Sequence, residues 1–498
     1  MAQGDQVILI HGWSASSSSM KTIGGILAEA GYQTRDIYLG DYPSTDDDVR
    51  LEDVARRLDA VVRGRQATGD IDARFHVVVH STGALVARRW LADRKRAGKT
   101  SPVGNLLMLA PANFGSPLAT MGRSLVGRMK AGLFNAMQSG TEILHGLELG
   151  SQFQQDLALE DRLSRDGDDL SSPYSEDGTR IFVMVGALQV GGTQILDQSG
   201  WDGTVRIASA HMDPQGLTVD FSHVKPGSGD PAEVRIWKRR GPERTAFAVL
   251  PDHDHLTILR PEKSEAKNPV IRNQLPRMIL EALGVESAAQ YRAVIERWDG
   301  VRRATRQLAG RSIEAAQARA EVFGSTKARR IPRKRFNEHY QVVVEAFDAG
   351  GFPIDDYGVW LSSPRSRSAM KRREMSREEI DAHSSVLQAV HVNTRNAHRR
   401  VLHLDRYELL GPEGYFARHE SDEPLMAAIS AEAVGRNISY GLGRGQMYGY
   451  LPLRPVITSA NPHADESGRF LRRYATHFVE VRLPREPAER VFSLKRMG

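Results

Sequence analysis

The sequence predicts an α/β region built on a mainly parallel sheet covered by helices on both faces, followed by a β-rich region of different texture. Three observations carry this reading. Over the first 120 residues, short apolar runs alternate with segments of helical periodicity. One of those runs, Phe75–Val79, passes almost directly through Ser81 into a helix. Beyond Pro332 the pattern changes from helical spacing to strand-like alternation.

The elements follow in order. Val7–Ile10 reads as a buried strand running into His11-Gly12-Trp13, Ser18–Ala30 as a helix ended by Gly31, and Thr34–Leu39 as a second strand. Leu51, Val54, Leu58 and Val62 recur at helical spacing. Phe75–Val79 is the third strand, Ala84–Ala97 the helix after it, and Leu106–Leu109 the fourth strand, ended by Ala110-Pro111. From about 118 to 170 the pattern is helical and rich in Gly and Met, which predicts an insertion over the sheet. Met121, Leu125, Met129, Leu133 and Met137 recur every four residues there. Such a stripe suits either core packing or a lid that meets acyl chains. Ile181–Val185 resumes the strands, Leu217–Phe221 and Glu233–Trp237 predict a β-hairpin insertion at about 213–248, and Arg272–Leu283 a closing helix. The predicted organisation is an α/β domain over 1–285, a basic helical linker over 286–335, and a β-rich accessory domain over 336–498. In the last of these, Tyr340–Phe347, Val390–Val392, Leu402–Tyr407 and His477–Leu483 read as strands, with a charged insertion at Arg365–Asp381.

Composition narrows the chemistry. A chain of 498 residues, 40% of them hydrophobic, exceeds one ordinary core and calls for more than one domain. It has no cysteine, which excludes a zinc–thiolate site, a disulfide framework and a thiol nucleophile. Nor is a metal or cofactor otherwise expected. The N-terminus has no basic stretch ahead of Val7–Ile10, and no apolar run is long enough to span a bilayer. The expectation is a chain cytoplasmic as made, with export by a signal-independent route left open. The net charge is +6, and bases far outnumber acids from Arg302 to Arg335. That excess suits either a solvated helix or a surface that meets anionic lipid; no nucleic-acid partner is expected.

The chemistry-bearing residues begin at Val79-His80-Ser81-Thr82-Gly83. A strand that ends in serine and turns at once into a helix lifts the hydroxyl off the sheet and aims the helix dipole at it. Small neighbours permit the sharp turn, which is the physical content of the G-x-S-x-G pattern; here Val79 stands at the first glycine. An N-cap serine would use the same residue type. His11-Gly12-Trp13, after a buried strand, can supply a second backbone N–H, so the oxyanion donors expected are the amides of Trp13 and Thr82. The acid and base should follow the serine in chain order. Asp202-Gly203, in a tight turn beyond a strand, offers the acid, with Asp197 as the alternative. Within Leu250-Pro-Asp-His-Asp-His255, His255 is the expected base and His253 its rival; the His-x-His could otherwise bind a metal, for which no third ligand is evident.

Together these segments resemble the α/β-hydrolase lipases, especially bacterial triacylglycerol lipases and the lipase domains of the GPI-inositol-deacylase-like group. The resemblance rests on His11-Gly12-Trp13, Val79–Gly83, Leu109–Pro117 with its Gly-Ser-Pro, Leu147–Phe153, Asp202–Val205 and His255–Ile258, all in the expected order within residues 1–285. It implies an α/β-hydrolase fold with a helical lid, a Ser81, Asp202, His255 triad, and a lipase or phospholipase A acting on carboxylic esters at a lipid or membrane surface. The same triad would serve an acyltransferase, and a catalytically weak interaction protein could keep the fold. A lipase-like chain with an extra C-terminal domain and no signal is also compatible with a secreted antibacterial effector, such as those of type VI secretion, which would have a cognate immunity or secretion partner.

Overall fold

The computed structural model describes residues 6–119, 140–188, 199–224, 232–362, 384–410, 426–431, 437–440, 448–452, 471–494 and 496–497. The expected methionine stripe at 121–137, the alternative acid Asp197 and the charged segment 365–381 lie outside the described residues. Two compact units divide the chain: Met1–Pro214 with Arg239–His339, and Gln215–Lys238 with Tyr340–Gly498.

The first unit is organised around β1 (Val7–Ile10), β2 (Ile37–Gly40), β3 (Phe75–His80) and β4 (Val103–Leu109), with strands Arg180–Gly186 and Ala246–Leu250. These form a six-stranded sheet in the order 246–250, 180–186, β4, β3, β1, β2. Every pairing in it is parallel. Both faces are covered, so the central strands are apolar throughout: all residues of β1, β3, β4 and Arg180–Gly186 are buried. The second strand begins later than its sequence suggests, because Thr34–Asp36 close a short 3-10 turn first. Helices α1 (Lys21–Glu29), α2 (Leu51–Ala67) and α3 (Gly83–Arg96) follow the first three strands.

Residues 141–147 and 152–161 are helices; Ser151 caps the second by accepting the Gln154 N–H. That helix is tied to α3 by a fully buried bidentate pair, Arg88 Nε to Asp161 Oδ2 at 2.8 Å and Nη2 to Oδ1 at 3.1 Å. The sign of its energetic contribution depends on desolvation, but removing one partner alone would strand a buried charge.

Two features differ from the sequence reading. The stretch expected as a linker starts with a helix, Ala288–Gln307, that belongs to the first core. Its buried Tyr291, Val294, Ile295 and Trp298 form one apolar face and join Phe182, Met184, Ala246 and Ala248 of the sheet. Tyr291 also donates its hydroxyl to the Ile181 carbonyl at 2.7 Å, and Thr305 to the Val249 carbonyl at 2.6 Å. The predicted hairpin at 213–248 forms as Gln215–Asp220 paired antiparallel with Glu233–Ile236, but it is the edge of the second unit's sheet. Gln215–Asp220 runs parallel to Thr476–Leu483, which runs parallel to His339–Asp348. Arg399–Asp405 and Leu387–Val392 complete six strands. A separate antiparallel sheet joins Tyr357–Ser362, Met426–Ala431 and Tyr448–Pro452.

Candidate active site

The site is built at the carboxyl ends of the parallel strands, where loops can converge on the central β3. Ser81 follows β3 and has φ of +53°, a left-handed conformation that costs a non-glycine residue about 1–2 kcal/mol. Neighbouring backbone holds it there. Its N–H donates to the Leu109 carbonyl at 3.1 Å, and its own carbonyl accepts the Ala84 N–H at 3.1 Å. The turn leaves no room for side chains on two glycines. A Cβ on Gly12 would lie 2.7 Å from Ser81 Cβ, and one on Gly83 would lie 2.7 Å from the His11 carbonyl oxygen. Position 79 has no such constraint: Val79 is extended, fully buried, and paired in register with Ile10 and Met108.

Ser81 Oγ lies 3.1 Å from His255 Nε2, and His255 Nδ1 lies 2.9 Å from Asp202 Oδ2. A carboxylate accepts, so the proton sits on Nδ1 and leaves Nε2 free to accept the serine proton. Asp202 is fully buried, yet its carboxylate is well provided: Oδ1 accepts the N–H of Thr204 at 2.9 Å and of Val205 at 2.7 Å. Asp202, Val205 and His255 are also joined through backbone, with the Asp202 N–H donating to Val205 and the His255 N–H donating to the Asp202 carbonyl. His253 does not reach Ser81. It is fully buried, and its carbonyl accepts the Leu188 N–H two residues beyond Arg180–Gly186. Among the described residues no three metal-ligating side chains converge.

Thr82 is buried at the start of α3, and Trp13 follows the glycine pressed against Ser81. Both residues expected to provide oxyanion donors therefore belong to the backbone that surrounds the serine. A serine hydroxyl, imidazole and buried carboxylate in this order can transfer the hydroxyl proton to imidazole and make the oxygen a nucleophile.

Three supports were not singled out from sequence. His80 donates from Nε2 to the His255 carbonyl at 2.9 Å, with the two rings 4.8 Å apart. Burial, and then the nearby His255, push the His80 pKa down to about 3, so it is neutral at ordinary pH. His11 Nε2 lies 2.7 Å from Asp41 Oδ1 and its ring stacks on Tyr42 at 4.5 Å, anchoring the loop ahead of Trp13. Ser199 Oγ and His339 Nε2 lie 2.9 Å apart, bracing the turn that leads to Asp202. His80 and His11 stand inside the two motifs, so adjacency to Ser81 and Gly12 was a usable signal. The Ser199–His339 contact spans 140 residues and has no local signature.

Residues 7–266 match the model of the α/β-hydrolase family, and the chain belongs to that family. Its structure is similar over its full length to phospholipase PlaB from Legionella pneumophila. That match has 22% identity, covers 99% of this chain and 96% of that one, and has a TM-score of 0.71. The mature form of Bacillus licheniformis lipase BlEst2 matches at 18% identity, over 55% of this chain and 93% of that one, with a TM-score of 0.34. No curated protein matches the chain in sequence. No helix among the described residues is long and apolar enough to cross a membrane.

Proposed function

We propose that this chain hydrolyses carboxylic esters of lipids, as a phospholipase A or lipase, with Ser81 as nucleophile, His255 as general base and Asp202 as the acid that orients it. The observation that carries the reading is the hydrogen-bonded chain from Ser81 through His255 to Asp202, at 3.1 and 2.9 Å, on a serine held at positive φ. Ser81 Oγ attacks the ester carbonyl as His255 Nε2 takes its proton. The amides of Trp13 and Thr82 receive the charge that develops on the carbonyl oxygen. His255 returns the proton to the departing alcohol, leaving an acyl-Ser81 that water then cleaves by the reverse use of the same base. The full-length likeness to a phospholipase favours lipid esters over small soluble ones.

The test is product analysis of mixed phospholipid and triacylglycerol vesicles treated with wild type and with Ser81→Ala. Free fatty acid and lysophospholipid should appear with wild type alone. Equal release by Ser81→Ala refutes the nucleophile. Hydrolysis confined to short soluble esters refutes the lipid substrate.

A further inference from the structure

The loop that carries His255 continues over residues 256–273. Leu256, the next residue after His255, is 67% exposed, and so is Val270. Between them Arg260, Lys263 and Lys267 stand in solvent. The end of the helix Ile313–Phe323 and the segment that follows it lie against this loop. The Lys267 N–H donates to the Val322 carbonyl at 2.8 Å, and Lys327 pairs with Glu265. That segment, 324–336, contains six Lys and Arg and no Asp or Glu. Arg329, Arg330 and Lys334 in it are exposed, and no hydrogen bond or ion pair engages their side chains among the described residues.

Residues 260–273 and 324–336 together hold ten bases against Glu262 and Glu265, and Glu265 is engaged by Lys327. The adjoining helix Ile313–Phe323 contributes Glu314 and Glu321 against Arg319, which leaves the excess intact. A cationic strip flanked by exposed aliphatic side chains has the chemistry of a bilayer interface. Lipid phosphates meet the long basic side chains while the aliphatic groups enter the acyl boundary. Nucleic acid would satisfy the charge but give Leu256 and Val270 nothing apolar to enter.

We propose that this face docks the protein on anionic phospholipid membrane and so brings the His255 loop to the lipid surface. The inference rests on the proposed lipid-ester activity only for why docking there is useful; the binding itself is independent of hydrolysis. The test uses the full chain carrying Ser81→Ala, sedimented with phosphatidylcholine vesicles with and without phosphatidylglycerol, at low and high salt. Binding should be at least about tenfold stronger to the anionic vesicles and weaken as salt rises. Arg329→Glu, Arg330→Glu and Lys334→Glu together should reduce that binding about tenfold or more. Introduced into the chain that keeps Ser81, they should leave hydrolysis of a soluble short-chain ester unchanged. Val270→Ser, which removes the aliphatic group and adds no charge, should weaken vesicle binding without altering its salt dependence.

Equal binding to neutral and anionic vesicles, or wild-type binding by the triple variant, overturns the inference. So does tighter binding to duplex DNA than to the anionic vesicles, which would make nucleic acid the partner. A chain that docks as described but releases no fatty acid when Ser81 is present would refute the proposed activity and leave the docking face standing.

Discussion

Replacing His80 by leucine removes one hydrogen-bond donor from behind His255 and leaves the side-chain volume nearly unchanged. The donor serves the His255 carbonyl at 2.9 Å, in a position where His80 is 3% exposed. An unpaired buried carbonyl costs about 1–3 kcal/mol. The His255 loop can recover part of that cost by shifting, and its Nε2 is already 3.1 Å from Ser81 Oγ. If the whole amount appears as lost positioning, 1.36 kcal/mol per decade gives a fall of about 5- to 150-fold in kcat/KM. The fall should lie in kcat, with KM little changed, because His80 sits behind the imidazole, not in the path of a substrate. Leucine also removes His80 Nδ1, a buried nitrogen with no hydrogen-bond partner among the described residues, so thermal stability should change less than activity. His80→Gln restores an amide donor and should recover most of the rate. The assay is steady-state hydrolysis of a soluble p-nitrophenyl ester, with the fluorophosphonate labelling rate of Ser81 and Tm measured alongside. A folded leucine variant within about twofold of wild type, or a glutamine variant no better than leucine, would refute His80 as a positioning residue.

Asp202→Asn should lower kcat by roughly 10³- to 10⁴-fold at pH 7 with KM close to wild type, because the Thr204 and Val205 N–H groups keep the amide oxygen and its NH2 then faces His255 Nδ1, favouring the wrong tautomer. A loss below about tenfold in steady-state kinetics would remove Asp202 from the proposed role. The depressed His80 pKa makes stability pH-dependent in a definite direction. The unfolded chain takes up this proton near 6.5 and the folded chain near 3, so the contribution is complete above 6.5 and is lost as pH falls from 6.5 towards 3, by up to about 5 kcal/mol. Urea unfolding at pH 7 and pH 4 should show a smaller decline for His80→Leu than for wild type. Trp298→Ala should cost about 3–5 kcal/mol in the same unfolding measurement, since its indole is buried against Phe182 at 5.7 Å between ring centres. A chain ending at residue 285 should for the same reason fail to give a soluble fold, as judged by gel filtration and circular dichroism.

What could be read from sequence follows the range of the interactions that produce it. Ser81 is legible because strand, turn and helix are consecutive, and an apolar run into serine and then into a helix leaves few alternatives. Asp202 and His255 are legible only through their order along the chain. The choice between His253 and His255 depends on the path of a loop, and a backbone contact to Leu188 turns His253 into the core. The polar composition of Ala288–Gln307 conceals a single buried face, Tyr291, Val294, Ile295 and Trp298, whose i, i+3, i+4, i+7 spacing was present in the sequence all along. Alternation identified Leu217–Phe221 as a strand, yet could not name its neighbour, because Thr476–Leu483 lies far along the chain and strand pairing has no signature in either partner alone.

The departure at Val79 turns on the same distinction between local and distant requirements. In this chain the two small-residue positions of the serine motif face different demands. Gly83 must lack a side chain because the backbone of Ile10 and His11 crosses within 3.0 Å of where a Cβ would be. Position 79 is an ordinary sheet position, extended and enclosed between β1 and β4, where a β-branched residue is favoured. The strain is borne two residues later, by Ser81, and is held by hydrogen bonds to Leu109 and Ala84 that do not involve the Val79 side chain. Valine in place of the motif's glycine therefore leaves the serine geometry intact, and the residue whose replacement should distort it is Gly83.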